Sequence, residues 1–584
     1  MADVNSNIGF HSKDSTRRMS LGDSLDRGDP PSISLFTDAA KYSYAALCSL
    51  ALKQLYAEDV HHRQFAESLI CSVRKHLDLP DHTDEVMFAL FRGEGVQNED
   101  VYVELVKQEG KAFSIVIVRD LVYLAVKGGK YDARTRALIL GVSKSLNIGS
   151  SLVEMMEESA VKFLTEELTP KTEEESNENR KRLRNRKIKR YALVGLATLG
   201  GGAVLGLTGG LAAPLIGAGV ASVFGGAAAV AIGSTAGAAV IGSLFGVAGA
   251  GLSGFKMKRR VGEVEEFAFK PLHKVSPNRR NLHVAIAISG WLSDETGDQG
   301  FWSPWKNLKI SQEQYCLMYE SQYLLELGRA MDYLLSFAVS MAAQEALKLT
   351  ILSGLITAIA WPTSLLTLAS VLDNPWGVCC RRSAQIGRTL ADVLLSRQHG
   401  NRPVTLIGLS LGARVVFYCL MELSQRKGSE VEGIVLDAIM LGTPVTGKAS
   451  TWSQLARVVS GNIVNGYCST DWLLKFLYRS TTGHYRVAGL EPITWTHPRM
   501  HNVDLSSIVA GHRDYATKID EILEFLGYGV EELDGPAHLR RTHSSHNVRE
   551  KTPPLIRYPS EDSFFLVKTH LNHPHPDFTQ KGST

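Results

Sequence analysis

Apolar residues recur at spacings of three and four over Ala40–Tyr56, His62–Leu77, Val101–Val126 and Thr135–Leu164. That period predicts amphipathic helices, and Pro80, Gly93, Gly110 and Gly128-Gly129 punctuate them. Residues 35–168 therefore read as an all-α helical domain. A charged linker, 169–190, follows: Pro170 ends the last helix, acidic residues come next, and then the run from Arg180 to Arg190. The pattern then changes completely. From Tyr191 to Phe255, 65 residues, there is no charge at all, whereas one membrane crossing takes about 20 helical residues. Both flanks are basic, with Lys256, Lys258, Arg259 and Arg260 on the far side. Basic flanks stay in the cytosol, so an even number of crossings is expected. Two helices forming a transmembrane hairpin are favoured, although three short ones would fit. Small residues four apart, as in Gly202–Gly206 and Gly233–Gly237, suit close helix packing in lipid.

Beyond residue 280 the period shortens. His283–Ile288, Val404–Ile407 and Gly433–Leu441 are short, mostly apolar runs with helical stretches between them, and Gly461–Tyr467 looks like the next strand. Strands alternating with helices predict a parallel sheet with right-handed crossovers. A helical insertion, 320–372, interrupts this unit of 280–528. Its segment Leu349–Leu372 is uncharged over 24 residues and is broken by Pro362. A lid, or a helix lying on a membrane surface, is preferred there over a third crossing. The polar ends, 1–34 and 531–584, read as disordered tails.

Candidate chemistry centres on Gly408-Leu409-Ser410-Leu411-Gly412, which follows a strand pattern and leads into a helix pattern. Strand, G-x-S-x-G, helix is the context of a nucleophile elbow; the alternative is a glycine-flanked serine that closes a buried strand. A serine needs a base to take its proton and an acid to orient that base, and in this architecture the order is Ser, acid, His. For the acid, Asp471 lies just past the strand Gly461–Tyr467; Asp437, mid-strand, is its rival, and Asp504 comes late. For the base, His512 sits in a loop before the final helix, with His484, His497 and His501 as alternatives. Two backbone donors must receive the oxyanion. Leu411 supplies one, and Trp291 or Leu292, after the early strand, the other, with Gly290 allowing close approach. The fold class expected is α/β, an α/β-hydrolase-type mostly parallel sheet with an N-terminal all-α domain and a Gly/Ala-rich transmembrane hairpin.

Composition narrows the function. A net charge of +3 argues against a nucleic-acid partner. The seven cysteines are scattered and odd in number, with no CxxC pair, which suggests neither a disulfide framework nor a metal site and fits a reducing compartment. No cofactor is expected. The tail histidines lack finger or helical spacing.

The uncharged segment, Ser289-Gly290-Trp291, Asp373-Asn374-Pro375-Trp376, Arg402–Arg414 and Asp471-Trp472 together resemble the eukaryotic transmembrane and coiled-coil domain-containing protein 4 family. The likeness covers roughly 35–530. It implies a multi-pass membrane protein with a hydrolase-like domain, and a fungal relative's link to adaptor-dependent traffic implies a trafficking-adaptor partner as the alternative role. The coiled-coil part of that family name has little support, since 171–190 sustains no apolar heptads. The expectation that follows is a membrane-anchored serine hydrolase. It would use Ser410, Asp471 and His512 on a lipid or acyl ester at the bilayer, with its N-terminal and hydrolase parts in the cytosol. The other reading is a non-catalytic scaffold.

Overall fold

Alternate residues of a strand point to opposite faces of its sheet, and this rule organises the computed structural model of the chain. The structure describes residues 33, 36–127, 129–167, 264–273, 281–345, 363–482 and 486–528. Seven strands form one sheet: β1 (Phe267–Pro271), β2 (Val284–Ile288), β3 (Glu313–Tyr319), β4 (Val404–Leu409), β5 (Val435–Leu441), β6 (Ile463–Tyr467) and β7 (Met500–Asp504). Their order is β1-β3-β2-β4-β5-β6-β7. Only β1 runs antiparallel, against β3.

The central strands are covered on both faces. Val284, Ile286 and Ile288 of β2, Leu406 of β4 and Ala438 and Met440 of β5 join one core, which also takes residues from the helices Thr363–Leu395 and Leu411–Gln425. Ala285, Ala287, Ile407, Leu409, Ile439 and Leu441 join the other, with Trp305, Tyr515 and Ile522. Burial on both faces is why these runs read as nearly continuous apolar sequence.

Ahead of the sheet come seven helices between Asp38 and Glu167 with a core of their own. Thr37, Asn98 and Asp132 cap three of them, each accepting a backbone N–H of the first turn. Two predicted stretches each divide in two. Val101–Val126 breaks at Gly110, which has φ 124°, and Thr135–Leu164 breaks near Asn147, which has φ 58°. A helical period alone does not register a single left-handed residue. The helices dock beneath the amino ends of the strands. Tyr131 N–H donates to Asn401 O at 2.9 Å, Ala133 N–H to Gly433 O at 3.0 Å and the Tyr56 hydroxyl to Ser460 O at 2.7 Å. Arg499 pairs with Asp59 in the same seam.

The transmembrane expectation is corrected. No helix among the described residues is long and apolar enough to cross a membrane. The two longest, Ser321–Glu345 and Thr363–Leu395, show why: the first carries Glu326, Arg329 and Asp332, and the second Asp373, Arg381, Arg382, Arg388 and Asp392. Such helices are amphipathic and pack on the sheet. The multi-pass topology falls with this finding, and so do the membrane-anchored form of the function and the assignment of domains to the cytosolic side of a bilayer. Residues 169–190 and 191–255, most of 349–372, and the tails apart from Ile33 lie outside the described residues.

Candidate active site

Ser410 is the first residue past β4, at the carboxyl edge of the sheet, and it holds φ 54° and ψ −118°. A non-glycine residue in this region costs about 1–3 kcal/mol and persists only where its surroundings fix it. Those surroundings are tight. A side-chain carbon at Gly408 would collide with the Ala413 backbone, and one at Gly412 with the Ile288 carbonyl. Both glycines of the pentapeptide are thus required by close approach. The helix Leu411–Gln425 begins at once, so the Leu411 N–H has no partner within its own helix and lies beside the serine.

The carboxyl ends of β6 and β7 bring two further side chains to this point. The His512 ring contacts Ser410 Oγ through Nε2 at 2.7 Å and Asp471 Oδ2 through Nδ1 at 2.6 Å. Asp471 Oδ1 accepts the Leu474 N–H at 3.0 Å, which fixes the carboxylate. The histidine loop is held by Asp514, whose Oδ2 accepts from Ala510 and Gly511 N–H at 2.9 and 3.2 Å. Cys468 ties the acid loop to it by donating to Val509 O. Ser410 and His512 are each 2% exposed and Asp471 is 0% exposed, so the contacts form away from bulk water. Chemically, such a chain can accept the serine proton on Nε2 while the carboxylate stabilises the resulting imidazolium.

The loop after β2 forms the opposite wall. A carbon added at Gly290 would lie 2.6 Å from the Leu411 nitrogen, which sets this loop against the start of the helix. Ser289 anchors it: its hydroxyl accepts from Trp305 Nε1 at 2.9 Å, and its carbonyl accepts from the Tyr319 hydroxyl at 2.9 Å. Leu292 N–H donates to Leu324 O at 3.3 Å and is thereby committed elsewhere. Trp291 is the remaining candidate on this loop for a second oxyanion donor.

Its side chain has a place that sequence reasoning missed. The half-buried Trp291 indole stands 5.4 Å from the His512 ring at 36°, and Tyr515 approaches the imidazole edge-on at 5.9 Å. Burial first, and then the neighbouring Asp471 charge, push the Tyr515 phenol well above its ordinary pKa. Only the aromatic character of position 291 signalled this.

The rival residues are engaged elsewhere. Asp437, near the amino end of β5, accepts the Asn462 N–H at 2.6 Å, and burial raises its carboxyl to about 6. His497 stacks on Trp495 and accepts from Arg499 N–H, while His501 meets Asn462. Asp504 accepts from Ser506. His484 lies outside the described residues.

Residues 186–529 match the family described as a protein of unknown function, DUF726. The chain belongs to this family. It is 40% identical over 566 residues to "Uncharacterized membrane protein F35D11.3" of Caenorhabditis elegans, covering 93% of this chain and 90% of that one. It is also 40% identical to "Transmembrane and coiled-coil domain-containing protein STS1" of Oryza sativa, over 68% of this chain and 61% of that protein. "Probable lipase MIL1" of Saccharomyces cerevisiae is 32% identical over 73% of this chain and 40% of its own length. The chain therefore spans less than two thirds of the rice and yeast relatives. No solved structure matches. Relatives of this DUF726 chain thus carry membrane-protein and lipase names, and its sheet is hydrolase-like.

Proposed function

We propose that this chain is a serine hydrolase of esterase or lipase type, with Ser410 as nucleophile, His512 as general base and acid, and Asp471 as the group that orients the imidazole. One observation carries the reading: a strained serine whose hydroxyl lies 2.7 Å from a histidine that is itself 2.6 Å from a buried carboxylate. The yeast relative's lipase name supports a carboxylic ester as the bond attacked. Within the family, the motifs around Ser289, Trp376 and Ser410 favour the transmembrane and coiled-coil domain-containing protein 4 branch.

In the reaction, Ser410 Oγ adds to the ester carbonyl carbon as its proton passes to His512 Nε2. The oxyanion is received by the Leu411 N–H and the Trp291 N–H. Collapse breaks the bond to the alcohol oxygen, which takes the proton from His512 and leaves an acyl-serine. Water then adds to the acyl carbon and gives a proton to Nε2. The second collapse returns that proton to Ser410 Oγ and releases the carboxylic acid. The test is hydrolysis of p-nitrophenyl esters by the full chain and by Ser410→Ala. Turnover by the wild type that the substitution abolishes supports the reading. Equal turnover by both proteins, or none by the wild type across acyl lengths, contradicts it.

A further inference from the structure

The helix Ser321–Glu345 touches both loops that flank Ser410. Arg329 pairs with Asp294 at 2.7 Å, on the loop that follows β2 and carries Trp291. Asp332 pairs with Arg513 at 2.6 Å, and Arg513 directly follows His512. The two helix residues are three apart and so share a face. Beneath them the helix is locked in place: Leu324, Leu327, Met331 and Leu334 are buried in the core, and Leu324 O accepts the Leu292 N–H. Gly328 packs so closely on the Leu292 carbonyl that no side chain would fit.

We infer that Arg329 and Asp332 are positioning residues, two ends of a brace that holds the histidine loop and the Trp291 loop at a fixed separation across Ser410. The inference rests on the hydrolase reading for its consequence, not for its geometry. The four charged side chains are between 38% and 60% exposed. Pairs this exposed contribute little to global stability, so the fold has little need of them. Displacing a reacting group by about 1 Å, in contrast, can cost about a hundredfold in rate. The brace is also asymmetric. Asp332 lies near the like charges Glu295 and Asp294, the latter already paired with Arg329, and Arg513 is the counter-charge of Asp332 itself. Loss of Arg513 therefore leaves Asp332 beside like charges, whereas loss of Asp332 removes the partner and that repulsion together.

The test uses the full chain and a fluorophosphonate probe, with the inactivation rate constant separated from probe affinity. Asp332→Asn should lower the inactivation rate constant about threefold and Arg513→Gln about fivefold, with affinity unchanged. Asp332→Glu should restore it, as should the exchanged pair Asp332→Arg with Arg513→Asp. Amide hydrogen exchange over 290–296 and 508–514 should quicken together in the single variants and slow again in the exchanged pair. Unchanged inactivation and exchange in the single variants would overturn the inference, as would a folded exchanged pair that stays slow. If the wild type reacts no faster than Ser410→Ala, the hydrolase reading is what fails; the exchange rates then decide the brace, and unchanged rates overturn it.

Discussion

The two ends of the parallel sheet both bury polar side chains, and they do so in opposite ways. At the amino end, charges meet opposite charges, some on helices and strands and some on the turns that lead into the strands. Arg402 forks onto Glu313, and Arg499 reaches Asp59 and the carbonyls of Ala456 and Val459. Arg134 joins Asp132 and Glu432, and Arg136 joins Glu157 in the adjoining helices. Each charge there is met by an opposite charge. At the carboxyl end, Asp471 and His512 sit on loops, and their chain of contacts ends on a hydroxyl that a reaction can use. Buried polarity therefore does not by itself mark a site. Asp437 has a strongly displaced pKa and stands at the structural end. What separates the ends is the strained backbone at Ser410 and a chain of contacts that terminates on a hydroxyl.

The largest expected effect lies at the carboxyl end. His512→Ala should lower ester hydrolysis by about four orders of magnitude or more while the urea midpoint stays near that of the wild type. A comparable loss of folding stability would erase the distinction between the ends. The converse substitution is Asp59→Ala, which leaves the buried Arg499 unpaired. Removing one member of a buried pair costs about 3–5 kcal/mol, readable as a lower urea midpoint, with turnover per folded molecule unchanged.

Asp437 provides a pH test of the structural end. Folding raises its carboxyl from the ordinary 3.8 to about 6 because burial disfavours the charge. The folded chain thus keeps a proton that the unfolded chain releases in this window. Its contribution to stability is fully present below about pH 4 and is lost as pH rises through about 6, a change of roughly 2 to 3 kcal/mol. Asp437→Asn, which can still accept the Asn462 N–H, should flatten that slope in denaturation curves at a series of pH values. Turnover measured at one pH should not change.

The smallest effect belongs to the aromatic wall. Trp291→Ala should reduce the rate about tenfold through a less well held His512, and Trp291→Phe should recover most of it. Steady-state rates for both variants would sharpen how far the site depends on its flanking rings.

Much of this contrast was legible in the sequence, and the illegible part has physical causes. The tight strand-to-helix turn at Ser410 could be read because close approach demands glycine at 408 and 412, and local spacing records that demand. The inner strands could be read because burial on both faces leaves unbroken apolar runs. β3 escaped notice since Glu313 and Gln314 make it look polar; their partners, Arg402 and the Leu308 carbonyl, are supplied only by the fold. β1 escaped for a similar reason, with Lys270 and Pro271 in an edge strand. The ion pairs of the brace join residues 35 and 181 positions apart, beyond the reach of any local pattern. The uncharged run 191–255 was the most conspicuous feature of the chain, and the topology drawn from it is the expectation that had to be corrected.

In the proposed reaction, the contacts at the carboxyl end of the sheet activate Ser410. Mass spectrometric peptide mapping of the full chain after reaction with a fluorophosphonate tests that activation most directly. One phosphonyl adduct is expected, on Ser410, and it should disappear in His512→Ala. An unmodified Ser410 in folded wild-type protein, or an adduct that forms equally fast without His512, would contradict it.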